Sequence, residues 1–398
     1  MRAGMIATNR GDVLAEGGVG IDTGGRIARV GAGLMPERGC PVYDFPGAVL
    51  VPGFADCHVH LTIDGRPDWM DITAQSPAAL TVRAVASARL ALAGGVTTAR
   101  CLGAPHGVEI AVRDAIWAGT LVGRCPACLG RAIWATGGHG TWIGRSADGP
   151  AQLRAAVRQG LVGGDDLFKV VAPGGVLTPG SHIAGPALTH EELAACIDEA
   201  HRQGVAMVAH ALTEASVRQA VEAGCDGIEH GDGLDVETAV LMARRGVRLG
   251  ATLSPASDFL ASIGNQDLPK EAIDKLVATR PRRVEAFCTA LANGLPVVMS
   301  TDAGTPFHEH GRNRGHGRPG SRRPLRAARR HARRCRGARL GGGDRDPGGK
   351  QADLVVVNDN LMQDPSAVRS PDCITFVMKG GTPYRHLQAP TKERKIPT

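Results

Sequence analysis

Eight short apolar runs, near residues 50–57, 96–102, 126–133, 167–172, 205–210, 226–230, 247–253 and 296–301, alternate with helical stretches, and this alternation constrains the fold more than any other feature of the chain. A parallel neighbour is reached only through a crossover, so strands alternating with helices imply an α/β domain with a parallel sheet. Eight such units are the number that closes a (β/α)8 TIM barrel. The stretches between them carry helix start and stop signals. Ser76-Pro77 opens one helix, Thr189 with Glu192 forms a capping box for a helix ending at Gly204, and Thr213 opens another ending at Gly224. Asp235 to Gly246 and Pro269 to Gly294 read in the same way.

Residues 1–50 differ, with short strands at Gly17–Ile21, Arg26–Val30 and Ala48–Val51 around a Gly24-Gly25 turn. A turn and strand resume at Gly349-Lys350-Gln351-Ala352-Asp353-Leu354-Val355-Val356-Val357. The expected architecture is a barrel over residues 52–347 and a small β-sandwich assembled from residues 1–51 and 348–398. A chain of 398 residues accommodates both, since a barrel takes about 250.

The formal charge of +7 invites a polyanionic partner, but thirteen Arg and only two Asp fall within residues 311–347. The remaining 33 basic and 37 acidic residues leave the rest of the chain slightly negative. That segment should hold the eighth barrel helix, yet it is nearly all Arg, Gly, Ala, Pro and His without apolar periodicity. It reads as an out-of-frame stretch of GC-rich coding sequence rather than a nucleic-acid-binding arm, so no nucleic acid is expected as a partner. The alternative, an impaired chain or a nucleic-acid binder, belongs to that segment alone. The N-terminus has no apolar core behind a basic stretch, and no window reaches the roughly 18 uncharged apolar residues of a membrane span. A cytoplasmic protein without membrane contact is expected, acting on a small molecule, with a homo-oligomer open. Of ten cysteines only Cys125 and Cys128 form a CxxC pair, and no second pair completes a tetrahedral zinc site, so reduced buried thiols are expected.

Chemistry-bearing residues collect at the strand ends. His58 and His60, spaced i and i+2 at the end of the first run, project from one face. Lys169, His210, His230 and Asp302 each close a separate later run. In a barrel these ends form one face, from which catalytic groups are drawn. Imidazoles with a carboxylate suit Zn²⁺, and Mn²⁺, Fe²⁺ or Co²⁺ fit the same set.

Pro52-Gly53-Phe54-Ala55-Asp56-Cys57-His58-Val59-His60, Lys169, His210, Ile228-Glu229-His230-Gly231 and Ser300-Thr301-Asp302-Ala303-Gly304 together resemble the amidohydrolase superfamily. The resemblance spans residues 1–310 and 348–398 and is strongest to the branch of imidazolonepropionase-like enzymes and metallo-dipeptidases of the prolidase and Xaa-Arg type. It implies that His58, His60 and Asp302 hold the more buried of two ions, His210 and His230 the other, and a carboxylated Lys169 both. An ammonium cannot ligate a metal, whereas its CO2-derived carbamate is an anionic two-oxygen bridge. The resemblance further implies that a bridging hydroxide attacks an amide carbonyl while Asp302 shuttles the proton to the leaving nitrogen. His139, in Thr136-Gly137-Gly138-His139-Gly140, matches a branch motif and would donate to the substrate carbonyl. Gly174–Gly180 matches a pocket-shaping stretch, and His310 matches a pattern without a role. His182, His190, His201 and His308 read as loop or surface residues. One departure concerns the substrate: dipeptidase members carry a carboxylate-binding tyrosine two residues after the fifth-strand histidine, where this chain has Leu212. The implied activity is hydrolysis of a dipeptide or N-acyl amino acid, with a cyclic amide, lactone or organophosphate as the alternative.

Overall fold

The computed structural model describes residues 1–8, 13–63, 69–121, 123, 125–129, 132–172, 175, 187–253, 270–303, 349–358 and 373–386. The Arg-rich segment, His182, His308, His310 and all of the Gly174–Gly180 stretch except Gly175 lie outside them.

Strands β1 (Arg2–Ala7), β2 (Val13–Ile21), β3 (Ile27–Ala32) and β4 (Asp44–Pro52) join β15 (Leu354–Val357), β16 (Ile374–Lys379) and β17 (Thr382–His386) in one sheet of order β17-β16-β15-β4-β1-β2-β3. Strands from both ends of the chain thus share one mixed sheet. Its central strands bury both faces. Ala48 and Leu50 of β4 pack with Val356 and Phe376, whereas Val49 and Val51 pack with Val355, Val377 and Leu92. Val19, Ile27 and Val30, from β2 and β3, belong to the same cluster as Phe376.

β4 passes through Gly53 into β5 (Phe54–Val59), so the first apolar run is the junction of two strands rather than one. β5, β6 (Val96–Leu102) and β7 (Cys125–Leu129) form a three-stranded parallel sheet. β8 (Ala132–Trp134), β9 (Gly144–Ser146), β10 (Phe168–Val171), β11 (Met207–Ala211), β12 (Gly227–His230), β13 (Arg248–Gly250) and β14 (Val297–Val298) form a second, of order β14-β13-β12-β11-β10-β8-β9. The third apolar run is thus split between two strands in different sheets. Beyond β14 the chain turns alongside β5: the Cys57 amide donates to Met299 O at 2.8 Å, Asp302 N to His58 O at 2.8 Å and His60 N to Ala303 O at 2.7 Å.

Helices α1 (Trp69–Thr73), α2 (Pro77–Ala93), α3 (Val108–Trp117), α4 (Gly149–Val162), α5 (His190–Arg202), α6 (Glu214–Glu222), α7 (Val236–Arg245) and α8 (Lys270–Ala292) separate the strands, giving a TIM-barrel-like α/β domain. Their boundaries follow from capping chemistry. Ser76 accepts from Ala79 N ahead of α2, Thr189 and Glu192 complete a reciprocal box ahead of α5, and Thr213 with Ser216 does so ahead of α6. α7 runs from the Asp235 cap to Gly246, whose φ of 71° is the left-handed stop that glycine takes without a Cβ penalty. The core between strands and helices includes Ile133, Phe168, Val170, Met207, Ala209, Ile228 and Leu249, all fully or almost fully buried.

Candidate metal centre

Strand alternation brings His58 of β5 inward, and His60 follows just past that strand's end. Their Nε2 atoms lie 3.3 and 3.5 Å from one carboxylate oxygen, Asp302 Oδ1, delivered from the turn after β14. Lys169 of β10 places Nζ 3.1 Å from His58 Nε2. Ligand atoms of His58, His230 and Asp302 fall within 4.8 Å of one another. His210, at the end of β11, stacks edge-on to His230 with ring centroids 4.5 Å apart. All six side chains are buried, Asp302 being the most accessible at 8 %.

The nitrogens facing away from this point are also engaged. His58 Nδ1 is 2.8 Å from Glu229 Oε2, His60 Nδ1 is 2.9 Å from Gly103 O, and His230 Nδ1 is 2.7 Å from Thr252 Oγ1. A carbonyl only accepts, so His60 carries its proton on Nδ1 and turns a lone pair on Nε2 toward Asp302. Burial pushes the Glu229 carboxyl up to about 7 against the pull of Arg100 and Lys169, and in its ionised form it does the same for His58. Arg100 of β6 pairs with Glu229 and donates from Nε to Cys57 O at 2.6 Å.

The backbone is strained where these groups converge. His230, Thr252 and Asp302 have φ of 71°, 41° and 57°, a region that non-glycine residues rarely enter and that costs of order 1–3 kcal/mol each. Glu229 and His230 are adjacent on β12, where regular pleating would send them to opposite faces. The left-handed φ breaks that alternation, so both side chains serve the same cluster.

Burial sets the protonation states. It pushes His60 down to about 3 and His58 and His230 well below the imidazole range, with the Lys169 ammonium adding to the effect on His58 and His60 and the neighbouring His210 on His230. Burial likewise lowers Lys169, against the pull of Asp302 and Glu229. Neutral imidazoles are the ligating form, and each backed on Nδ1 is oriented as metal-binding histidines are. A neutral amine is the form of lysine that combines with CO2. The donor set of imidazoles, one carboxylate and a depressed lysine therefore fits divalent cations of borderline character.

His139 is half-buried, with its ring 5.4 Å from that of His210 and edge-on to the indoles of Trp134 and Trp142. Gly175 lies against it so closely that a Cβ there would overlap the imidazole. The structure thus brings His58, His60, Lys169, His210, His230 and Asp302 into one cluster with His139 beside it, while His190 and His201 stand apart on α5. Sequence reading gave no role to Glu229, Arg100, Thr252 or Arg283. An arginine in the middle of the apolar strand Val96–Leu102 was the available signal, because a buried guanidinium demands a carboxylate partner.

Residues 49–335 match the sequence model of the Amidohydrolase family. The chain belongs to the amidohydrolase family. As an amidohydrolase it is a hydrolytic enzyme acting on carbon–nitrogen bonds. It is similar to an ochratoxinase of Aspergillus niger, 31% identical over 371 residues that cover 85% of this chain and 76% of the other. Among solved structures it resembles a prolidase complexed with N-methylphosphonate-L-proline, with a TM-score of 0.82 and 25% identity over 97% of this chain and 100% of that one. A Xaa-Pro dipeptidase with bound methionine superposes with a TM-score of 0.77 and 27% identity, covering 96% and 98% of the two chains. These relatives fit the branch that the motifs resemble. Among the described residues no helix is long and apolar enough to cross a membrane.

Proposed function

We propose that this amidohydrolase cleaves the amide or peptide C–N bond of a small cytoplasmic substrate, a dipeptide or an N-acyl amino acid, at a binuclear centre of divalent ions, zinc foremost. The observation that carries the reading is the convergence of buried Nε2 atoms, Asp302 Oδ1 and Lys169 Nζ on one point, with partners on the Nδ1 atoms of His58, His60 and His230. The reading takes the eight apolar runs as one closed barrel, with this cluster at the C-terminal mouth where barrel enzymes carry their sites. His58, His60 and Asp302 would hold one ion, His210 and His230 the other, and Lys169 as its carbamate both. When bound, the ions acidify a water and polarise the scissile carbonyl.

The chain's own groups supply the rest. Asp302 accepts the proton of the attacking water and returns it to the leaving nitrogen, a shuttle suited to a carboxylate at the edge of a buried cluster. His139 donates an N–H to the carbonyl oxygen, its ring held edge-on by Trp134 and Trp142. Leu212, 2% exposed, stands where dipeptidases of this branch carry a carboxylate-binding phenol, which favours an N-acyl amino acid or apolar dipeptide over one gripped by its free carboxylate at that position.

Elemental analysis of the purified chain beside Lys169→Ala, with a panel of dipeptides and N-acyl amino acids, tests the proposal. The expected result is about two zinc equivalents per chain, a sharp fall in the variant, and hydrolysis that chelation abolishes and zinc restores. A folded wild-type chain that retains no metal in zinc-containing buffer would sink it.

A further inference from the structure

Arg283 belongs to helix α8, yet it is 4% exposed and its side chain reaches into the turns that follow β12 and β13. It grips Asp232 in a two-pronged pair, Nε to Oδ1 at 2.7 Å and Nη2 to Oδ2 at 3.1 Å. Its remaining arm, Nη1, lies 3.3 Å from both the carbonyl and the hydroxyl oxygens of Thr252. That hydroxyl is the group 2.7 Å from His230 Nδ1. We propose that Arg283, anchored by Asp232, is a positioning residue that holds the Thr252 hydroxyl against His230 and so fixes the ring whose Nε2 faces the metal. The inference rests on the metal-centre reading above.

Two independent features support it. Thr252 has φ 41°, which a β-branched residue avoids, and such strain persists only where neighbours over-determine it. Here one guanidinium holds both its carbonyl and its hydroxyl. Moreover, His58 and His60 rest on a carboxylate and a carbonyl, whereas His230 rests on a hydroxyl that rotates freely unless something holds it. A guanidinium offers donors only, so it takes one lone pair of Thr252 Oγ1 and leaves the other for the Nδ1 proton that a ligating His230 carries. A desolvated, bidentate ion pair is also an expensive way merely to attach a helix, since apolar packing does that at least as well.

Zinc affinity, read by competition with a chromophoric chelator, tests this in Thr252→Val, Thr252→Ser, Arg283→Met and the Thr252→Val/Arg283→Met double variant, each with its Tm. Loss of about 10- to 100-fold in affinity for the ion that His210 and His230 would hold is expected in Thr252→Val and Arg283→Met, with Thr252→Ser within about threefold of wild type. The double variant should be little worse than either single one, because both act through the same hydroxyl. Multiplying losses, or a lower Tm with unchanged zinc affinity, would show that Arg283 only ties α8 to the barrel. If Arg283→Met does not fold, Thr252→Val against Thr252→Ser still decides, equal affinities overturning the proposal. A wild-type chain that binds no zinc would remove the metal-centre reading itself, whereas normal zinc binding in wild type and in Thr252→Val removes this inference alone.

Discussion

Asp302 combines two demands that rarely fall on one residue: a left-handed backbone and a carboxylate oxygen within 3.5 Å of two imidazoles. Replacing it by Asn keeps the shape and removes the proton acceptor, so kcat on the best substrate should fall by about 10²- to 10⁴-fold with the fold retained. Activity within tenfold of wild type would show that another group moves the proton. Gly175→Ala tests His139 from its neighbour: the added Cβ must displace the imidazole, and kcat should drop more than about tenfold, in line with loss of one transition-state hydrogen bond, while Tm hardly changes. Unchanged kinetics would detach His139 from the reaction. His58 and His60 were legible because an i, i+2 spacing on a strand has one geometric meaning. Glu229 was hidden by its neighbour, since a regular strand admits only one of two adjacent residues to a face and nothing in the letters announces the φ of 71° at His230. Arg283 was less legible still, because a long side chain on a helix gives no sign of which loop it will reach.

At the scale of elements, the helix boundaries were readable where chemistry is local. Removing the Thr189 hydroxyl as Thr189→Ala should destabilise the chain by about 1 kcal/mol in denaturant titration, and no shift in midpoint would mean that α5 is held by packing alone. The clasp between α4 and α5 was not readable, since it joins side chains forty residues apart. Glu199 on α5 meets Arg158 on α4 at 2.7 Å, and that guanidinium, before all other causes, holds the Glu199 carboxyl down to about 2. A carboxyl lowered on folding contributes stability above its unfolded value near 4.5, and that contribution fades as pH falls toward 2. The Tm gap between wild type and Glu199→Gln should therefore be present at pH 7 and narrow below about pH 4.5. A gap that widens on acidification would contradict the assignment. In the terminal sheet, runs such as Val49–Val51 and Leu354–Val357 announced buried strands but not what covers each face.

At the scale of the molecule, the alternation of strands and helices exposed the α/β layering, while the basic segment that dominates the net charge lies outside the described residues. A cluster of donors drawn from so many strands predicts that chelation lowers Tm and that zinc restores it, Tm rising with the logarithm of the free zinc concentration above Kd, as linkage requires. A melt indifferent to both would place the metal, if any, outside the folded core. The junction between β5 and the turn after β14 has a consequence in time as well as space. Asp302 N donates to His58 O, and Thr301 N reaches Asp56 across 245 residues of sequence, while β4 pairs with β15 from still further along. Synthesis runs from one end to the other, so the ribosome releases His58 and His60 long before Asp302 exists to face them. Early strands must wait with an unpaired edge, and the donor cluster is complete only after most of the chain has emerged. Metal capture would then mark the end of manufacture, a seal that a truncated product cannot acquire.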